Sequence, residues 1–168
     1  MSGNEIAVKC SGITKTFGGV VANDDINLEV KYGEILALLG ENGSGKTTLM
    51  NMLSGIYHPD KGTIAISGKT VAINSPKDSI ALGIGMIHQH FKLVDVFTAA
   101  DNIVAGTKGS LKGKGAVRDE INKISEQLGL EVDPDKKVYN MSVSEKQTVE
   151  ILKVLYRGAK MLTLDDPT

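Results

Sequence analysis

The sequence predicts an α/β fold, and three observations support that prediction. Short apolar segments separated by glycines fill the first half of the chain, as expected for strands. A glycine-rich loop at residues 40–47 stands between an apolar run and a stretch of good helix formers. Apolar residues at helical spacing fill much of the second half, and a last short apolar run follows at 161–164. We therefore expect strands, then a helical insert, then a final strand.

Alternation and continuous apolar runs predict the strands. "EIAVKC" (5–10) and "INLEV" (26–30) alternate, or nearly so, as half-buried strands do. "EILALLG" (34–40) is a continuous apolar run, typical of a strand buried on both faces of a parallel sheet. "GTIAISG" and "KTVAI" predict a hairpin with Ser67-Gly68 in its turn. "IGMIH" (84–88) predicts a further strand.

Helices are predicted where good helix formers or helical spacing coincide with stop and start signals. Residues 46–53 carry helix formers and end at Ser54-Gly55. "SPKDSIALG" predicts a short helix with Ser75 as its N-cap and Pro76 at its first position. Two longer helices are predicted from apolar residues at helical spacing: Val117, Ile121, Ile124 and Leu128, then Val149, Leu152, Leu155 and Tyr156.

Composition narrows the classes of function. The 168 residues carry 41% hydrophobic and 23% charged residues with a net charge of −1, which is ordinary for a soluble globular domain. Only two arginines, Arg118 and Arg157, are present, which argues against a reader of nucleic-acid phosphates. The glycine/lysine segment 106–115 fits a solvated loop better than a nucleic-acid patch, because it has no interleaved aromatic residues. The single Cys10 indicates a reducing, cytosolic setting, and no apolar run is long enough for direct membrane insertion.

The segment "GENGSGKT" at residues 40–47 fits the pattern G-x-x-x-x-G-K-[ST] between a predicted strand and a predicted helix. Its glycines let backbone N–H groups turn toward phosphate oxygens, and the following helix adds its positive end. Lys46 supplies a point charge for the β- and γ-phosphates, and the Thr47 hydroxyl is a magnesium ligand. The pattern predicts a nucleotide phosphate site.

The segment "MLTLDD" at residues 161–166 predicts a second buried strand that ends in two carboxylates. Asp165 is expected to hold magnesium through water, and Asp166 to orient or deprotonate the attacking water. A capped strand end remains open for the aspartate pair taken alone.

With these motifs, the chain from about Ile6 to Thr168 resembles the nucleotide-binding subunit of an ABC transporter. "HQHFKLV", "VEILKVLYRGAK" and "GENGSGKTTLMNMLSGIYHPDKG" resemble the importers of simple sugars and nucleosides, in particular the first of their two tandem ATP-binding halves. The resemblance implies a P-loop NTPase fold with a mostly parallel core sheet, an antiparallel β subdomain and a helical insert. It implies a core at 1–90 plus 159–168 and a helical subdomain at 91–158.

The resemblance also implies ATP and Mg²⁺ as ligands and assigns residues to them. Phe17 is expected to stack on adenine, although a core phenylalanine remains open, and Gln89 matches a loop that senses magnesium and the γ-phosphate. Ser142 matches the signature serine, which caps ATP bound to another subunit. The catalytic residues implied are Asp166 and Gln89, and the magnesium ligands are Thr47, Gln89 and Asp165. The nucleotide-binding residues implied are Phe17, Gly40, Asn42, Gly43, Ser44, Gly45, Lys46, Thr47, Thr48, Ser142 and Ser144. His88 and His90 flank Gln89, and no third metal ligand is evident near them.

Three departures from the family pattern bear on activity. Ser144 replaces a signature glycine, and Lys146 and Thr148 replace the usual glutamine and arginine. Asp166 replaces the catalytic glutamate, which sets its carboxylate back by about 1 Å, and a misplacement of that size costs on the order of 100-fold in rate. The third departure is that the family pattern continues beyond Thr168 with a strand between the two motif strands. We expect a fragment of a longer chain, or a second copy that fills the gap.

The partners expected are a second ABC ATP-binding domain, in a head-to-tail dimer, and transmembrane permease subunits, through which this chain would lie at the cytoplasmic face of the cell membrane. An ATP-binding module with little or no hydrolysis is the main alternative. A GTPase is disfavoured because "NKIS" (122–125) lacks the aspartate of a guanine-reading motif. An ABC protein of DNA repair or translation is disfavoured by the subfamily resemblance.

Overall fold

The computed structural model describes residues 5–87, 91–107 and 113–164 of the chain. The chain divides into two compact units, Met1–Leu82 and Gly83–Thr168. In order, the elements are β1 (Ile6–Phe17), β2 (Val20–Lys31), α1 (Lys46–Leu53), β3 (Lys61–Ile66), β4 (Lys69–Val71), α2 (Pro76–Ala81), β5 (Ile84–Ile87), α3 (Ala99–Val104), α4 (Lys114–Leu128), α5 (Val143–Tyr156) and β6 (Met161–Leu164).

The first unit contains a four-stranded antiparallel sheet in the order β2-β1-β3-β4. β1 and β2 form a long hairpin whose last pair is Phe17 and Val20, so Gly18 and Gly19 make the turn. The predicted strands at 5–10 and 26–30 are parts of these two longer strands. Their pairing register shifts at several points, as β-bulges do when they bend and twist a hairpin.

The predicted β3–β4 hairpin is confirmed, with Ser67 and Gly68 in its turn. Both turn residues have positive φ, 50° at Ser67 and 75° at Gly68. Two-residue hairpin turns of this kind match the right-handed twist of the strands, which is why the Ser-Gly pair predicted the turn correctly.

The two predicted helices of the first unit are confirmed. α1 occupies the expected residues and buries Leu49, Met52 and Leu53. α2 begins after Ser75, whose hydroxyl accepts a hydrogen bond from the backbone of Asp78, with a proline at its first position. Ser79 of α2 donates to the carbonyl of Leu53 over 2.9 Å, which links the two helices.

The prediction of a strand at residues 34–40 is wrong. These residues form no regular element, and no strand within the described ranges pairs with them. Ile35 is 97% exposed and Leu39 is 92% exposed. A run of apolar residues indicates a preference for burial, but a strand forms only where another strand completes its backbone hydrogen bonds.

The second unit combines a parallel strand pair with helices. β5 pairs with β6 from Ile84–Met161 to Ile87–Leu164, which confirms both predicted strands over the described residues. α5 crosses this pair closely, because a Cβ added to Gly85 would lie 1.9 Å from the Cγ1 atom of Val154. The two long predicted helices are confirmed as α4 and α5.

The core of the second unit is built by α3, α4, α5 and the segment before α5. Its buried side chains are Ala99, Ile103, Val104, Val117, Ile121, Val138, Met141, Val149 and Leu152. The short helix α3 was not predicted, although Thr98 and Asp101 form a complete capping box at its start. Among the described helices, none is both long and apolar enough to span a bilayer.

Candidate functional site

The glycine-rich loop at residues 40–47 folds around the ammonium group of Lys46. The Lys46 Nζ atom donates to the carbonyl oxygens of Gly40 and Glu41 over 2.8 and 2.9 Å, and lies 3.4 Å from Ser44 Oγ. All three partners belong to the loop itself. The lysine charge is therefore held inside the loop, at the first residue of α1.

Gly45 is the N-cap of α1 and lies where only glycine fits. Its φ of 88° is in the left-handed region, and an added Cβ would lie 2.2 Å from the carbonyl oxygen of Ala22. The backbone of β2 thus lies directly against the end of the glycine-rich loop at residues 40–47. A substitution here would combine backbone strain with a clash against main-chain atoms.

Asn23 ties the same strand to the loop. The side chain is 94% buried, since 6% of its surface remains exposed, and its amide nitrogen donates to the carbonyl of Gly45 over 3.2 Å. That carbonyl also accepts from the N–H of Leu49. The Asn23 Oδ1 atom is buried with no hydrogen-bond partner in the part of the chain that the structure describes. The bond to Gly45 fixes where α1 begins.

Within the described residues, no side chain forms a capping hydrogen bond at the N-terminus of α1. Thr47 is exposed in its first turn and Thr48 is half-buried beside it. A helix N-terminus with a cationic side chain in its first turn attracts anions, because the helix dipole and the lysine carry the same sign. This arrangement can bind a chain of phosphate groups.

Phe17 ends β1 with 41% of its surface exposed, which argues against the alternative of a core phenylalanine. Its ring meets Tyr57 edge to face, with 5.0 Å between centroids and 68° between ring planes. The Nζ atom of Lys15 lies 5.4 Å from the centre of the same ring. The ring therefore has a supported side and an exposed surface on which a flat base can stack.

Asp60 connects the segment after α1 to the end of β1. Its carboxylate accepts from Lys15 Nζ over 2.8 Å and from the N–H of Thr16 over 2.7 Å. Its own N–H donates to the carbonyl of Thr14. The bond from Lys15, and then the bond from Thr16, lower the pKa of Asp60 below its usual value.

Ser142, which the sequence predicts as the signature serine, is the N-cap of α5 in the second unit. Its hydroxyl accepts from the N–H of Glu145, and the Glu145 carboxylate accepts from the N–H of Ser142 over 2.8 Å. Lys136 binds the other carboxylate oxygen over 2.6 Å. The bond from Lys136, followed by the bond from the Ser142 backbone, lowers the pKa of Glu145 to about 2.

The residues of this segment that depart from the family pattern, Ser144, Lys146 and Thr148, contact nearby groups. Ser144 is exposed, so its Cβ meets no crowding within the described chain, and its carbonyl accepts from the Thr148 hydroxyl over 3.2 Å. Lys146 lies 3.8 Å from the carboxylate of Asp95. Val143 is 60% exposed beside Ser144. The first turn of α5 thus presents small and apolar side chains to the outside.

A buried ion pair on α5 holds the segment that follows residues 88–90. Glu150 is buried, and its Oε1 atom accepts from the N–H of Lys92 over 2.6 Å. Lys153 lies 3.5 Å from the other Glu150 oxygen and donates to the Lys92 carbonyl over 2.8 Å. Both backbone groups of Lys92 are therefore fixed to α5.

Several predicted site residues lie outside the described residues. These are Gln89 with its neighbours His88 and His90, and the aspartates Asp165 and Asp166. Within the described ranges no cluster of three or more acidic, histidine or cysteine side chains could hold a metal ion. Of the predicted magnesium ligands, the structure describes Thr47 alone. The role of each of these residues stays a prediction.

The side chains that support the site were not predicted from the sequence. Ser142 and Glu145 have the S/T-x-x-E spacing of a capping box, so that pair was detectable. Asn23, Tyr57 and Asp60 act on residues far along the chain, and nothing in their local pattern indicated their partners.

The sequence profile of the family described as "ABC transporter" matches residues 23–168 of this chain. The chain belongs to the ABC transporter family. The nucleoside import ATP-binding protein NupA of Lactococcus lactis subsp. cremoris (strain MG1363) is 51% identical over 168 residues, covering 98% of this chain and 33% of that protein. The guanosine import ATP-binding protein NupO of Bacillus subtilis (strain 168) is also 51% identical with the same coverage.

This member of the ABC transporter family spans about a third of the length of these curated relatives. Among solved structures, cbiO1 from Clostridium perfringens, part of the ABC transporter complex cbiONQ, has a TM-score of 0.83 at 28% identity over 98% of this chain and 66% of that chain. MJ1267, an ATP-binding cassette in its ADP conformation, has a TM-score of 0.81 at 27% identity over 94% and 67%. These matches confirm the predicted P-loop ABC-type fold.

Proposed function

We propose that this chain is part of the ATP-binding subunit of an importer for nucleosides or simple sugars. In this proposal, the subunit hydrolyses ATP to drive uptake. One observation carries the proposal: the Lys46 ammonium is enclosed by the glycine-rich loop at the uncapped start of α1. The relatives described as nucleoside and guanosine import proteins support the substrate class.

The loop suits a triphosphate on chemical grounds. Lys46 is bonded to neutral carbonyl oxygens of Gly40 and Glu41. A phosphate oxygen is a charged acceptor and forms a hydrogen bond about twice as strong, so it can displace these carbonyls. The N–H groups at the start of α1 and the helix dipole favour the same negative charge. ATP is the substrate proposed, with Phe17 stacked on its adenine.

Magnesium would be held by Thr47 together with Asp165 and Gln89. The threonine hydroxyl and the carboxylate are oxygen donors, which Mg²⁺ prefers. When bound, the ion would neutralise charge on the β- and γ-phosphates. In this proposal Asp166 orients the attacking water, and its short side chain makes hydrolysis slow.

The remaining roles concern partners. We infer a head-to-tail dimer with a second ABC ATP-binding domain, in which Ser142 and Ser144 at the exposed start of α5 face nucleotide bound to the other domain. This chain would lie at the cytoplasmic face of the cell membrane, where transmembrane permease subunits would receive the motion through Gln89. The hold of Glu150 and Lys153 on Lys92 supports such coupling, because it joins α5 to the segment that follows Gln89.

Binding of MgATP to Lys46→Ala and to a matched control, Lys77→Ala, tests the carrying observation. Lys77 is exposed on α2 and lies outside the loop. Hydrogen bonds from charged groups contribute about 1.5–3 kcal/mol, so affinity for MgATP should fall by about 10- to 100-fold in Lys46→Ala and stay unchanged in the control. Titration calorimetry measures both. Equal affinity in the two variants would contradict the proposed site.

The rate of ATP hydrolysis distinguishes an ATPase subunit from an ATP-binding module without hydrolysis. We expect phosphate release by the wild type to be slow and to rise in Asp166→Glu, measured with a second, intact ATP-binding domain present. If ATP binds but neither protein releases phosphate, the chain is an ATP-binding module without hydrolysis. Tighter binding of GTP than of ATP would instead favour the hypothesis that the chain is a GTPase.

A further inference from the structure

We propose that Tyr57 is a positioning residue for the nucleotide base, acting through Phe17. The inference rests on the proposed function, in which Phe17 stacks on adenine, and it goes beyond that function by assigning a residue that fixes the stacking ring. Its basis is the edge-to-face contact between the two rings, with centroids 5.0 Å apart.

Tyr57 is attached to the helix that begins at the phosphate loop. Its backbone N–H donates to the carbonyl of Asn51 over 3.1 Å, so it continues directly from the last turn of α1. α1 has eight residues, and a helix of that length spans about 12 Å. One end of this rigid element carries Lys46, and just beyond the other end lies the ring that supports Phe17.

Asp60 secures the segment that carries Tyr57. Its carboxylate holds the side chain of Lys15 and the backbone of Thr16, and its N–H bonds to Thr14. Three bonds therefore fix residue 60 to the strand that ends in Phe17. The lysine held by Asp60 also contacts the Phe17 ring, at 5.4 Å from its centre. Phe17 is supported by the Tyr57 ring and by a cation.

A second connection joins the same hairpin to the phosphate loop. Phe17 pairs with Val20 across the turn, and β2 continues to Ala22 and Asn23, which contact Gly45. The stacking ring is thus connected to the loop through β2 and again through α1 and Tyr57. Two independent connections fix the separation between ring and loop, which sets the distance between the base and the phosphates of one ligand.

This geometry predicts how loss of the Tyr57 ring would change the affinity for two kinds of ligand. Loss of its ring should weaken ligands that contain a base and leave a base-free phosphate chain unaffected, because the contacts of Lys46 and Gly45 do not involve Tyr57. An aromatic pair at this spacing corresponds to about 3- to 10-fold in affinity. A merely structural role would weaken both ligands alike.

The experiment measures MgATP and inorganic tripolyphosphate binding to the whole chain as wild type, Tyr57→Leu and Tyr57→Phe. Tyr57→Leu removes the ring with little change in bulk, and Tyr57→Phe keeps the ring. We expect Tyr57→Leu to bind MgATP about 3- to 10-fold more weakly, with tripolyphosphate affinity unchanged. Tyr57→Phe should bind MgATP as the wild type does.

Each other outcome has a defined meaning. Equal weakening of both ligands in Tyr57→Leu, or no weakening of either, overturns the role of Tyr57. If Tyr57→Leu does not fold, Asp60→Asn replaces it, since this exposed carboxylate secures the same segment. It should weaken MgATP by about 2-fold and leave tripolyphosphate unchanged, and an unchanged MgATP affinity would overturn the proposal. Failure of the wild type to bind either ligand would instead contradict the proposed function.

Discussion

The starts of α1 and α5 solve the same physical problem in opposite ways. Each helix leaves N–H groups in its first turn that lack partners within the helix. The N-cap of α1 is a left-handed glycine, which has no side chain with which to cap the helix. α5 has a complete capping box from Ser142 and Glu145, reinforced by Lys136. One helix start is shaped by backbone, and the other by side chains.

This difference fits two different roles: the start of α1 suits the binding of a ligand, and the start of α5 suits the presentation of a fixed surface. In the proposed site, the bare backbone at the start of α1 would let phosphate oxygens approach the N–H groups closely, and Lys46 would add a charge. At α5 the chain satisfies its own first turn, which fixes the exposed residues Val143 and Ser144 in place without any ligand. In the proposed dimer, the α1 start would hold a nucleotide and the α5 start would be a rigid surface set against it.

The largest expected effect is at the backbone-shaped start. Gly45→Ala should lower the free energy of unfolding by about 3 kcal/mol, because left-handed strain adds to the clash with the Ala22 carbonyl. Gly43→Ala is the matched control: its φ is 85°, but no atom of the described residues lies within 4 Å of the added Cβ. Strain alone should cost it about 1 kcal/mol. Urea unfolding of both variants measures the difference.

If Gly43→Ala and Gly45→Ala proved equally stable, the close packing of β2 on the loop would not matter for stability. MgATP binding sharpens the same comparison. Gly45→Ala shifts the start of α1 and should weaken binding. Gly43→Ala should weaken it less, because its Cβ enters open space.

The contrast also explains what sequence reasoning could and could not achieve. The helix start at Lys46, the helix start at Ser75-Pro76 and the turn at Ser67-Gly68 were correctly predicted, because a few adjacent residues determine each local conformation. The prediction of a strand at residues 34–40 failed because strand formation depends on a partner strand, which hydropathy does not encode. Tyr57 and Asn23 went unnoticed for a related reason: each contacts residues more than twenty positions away.

A smaller effect is expected at the start of α5. Ser142→Ala removes the hydroxyl that accepts from the Glu145 N–H, and loss of such a cap costs about 1 kcal/mol. Ser144→Ala is the matched control two residues later, where the hydroxyl is exposed and caps nothing. We expect its unfolding midpoint in urea to equal that of the wild type. Equal losses in the two variants would show that the capping box is not what stabilises this helix start.

The smallest effect is a dependence of stability on pH at the start of α5. Lys136 and the Ser142 backbone lower the pKa of Glu145 from its ordinary 4.5 to about 2, so the ionised carboxylate stabilises the folded state. A depressed pKa means that this stabilisation is complete above about pH 4.5 and is lost as the pH falls toward about 2. Glu145→Gln should therefore be less stable than the wild type at pH 7, and the difference should shrink on acidification. Urea unfolding at a series of pH values between 7 and 3 measures it. A stability difference that grew at low pH would contradict the stabilising role of the ionised Glu145 carboxylate in the capping box.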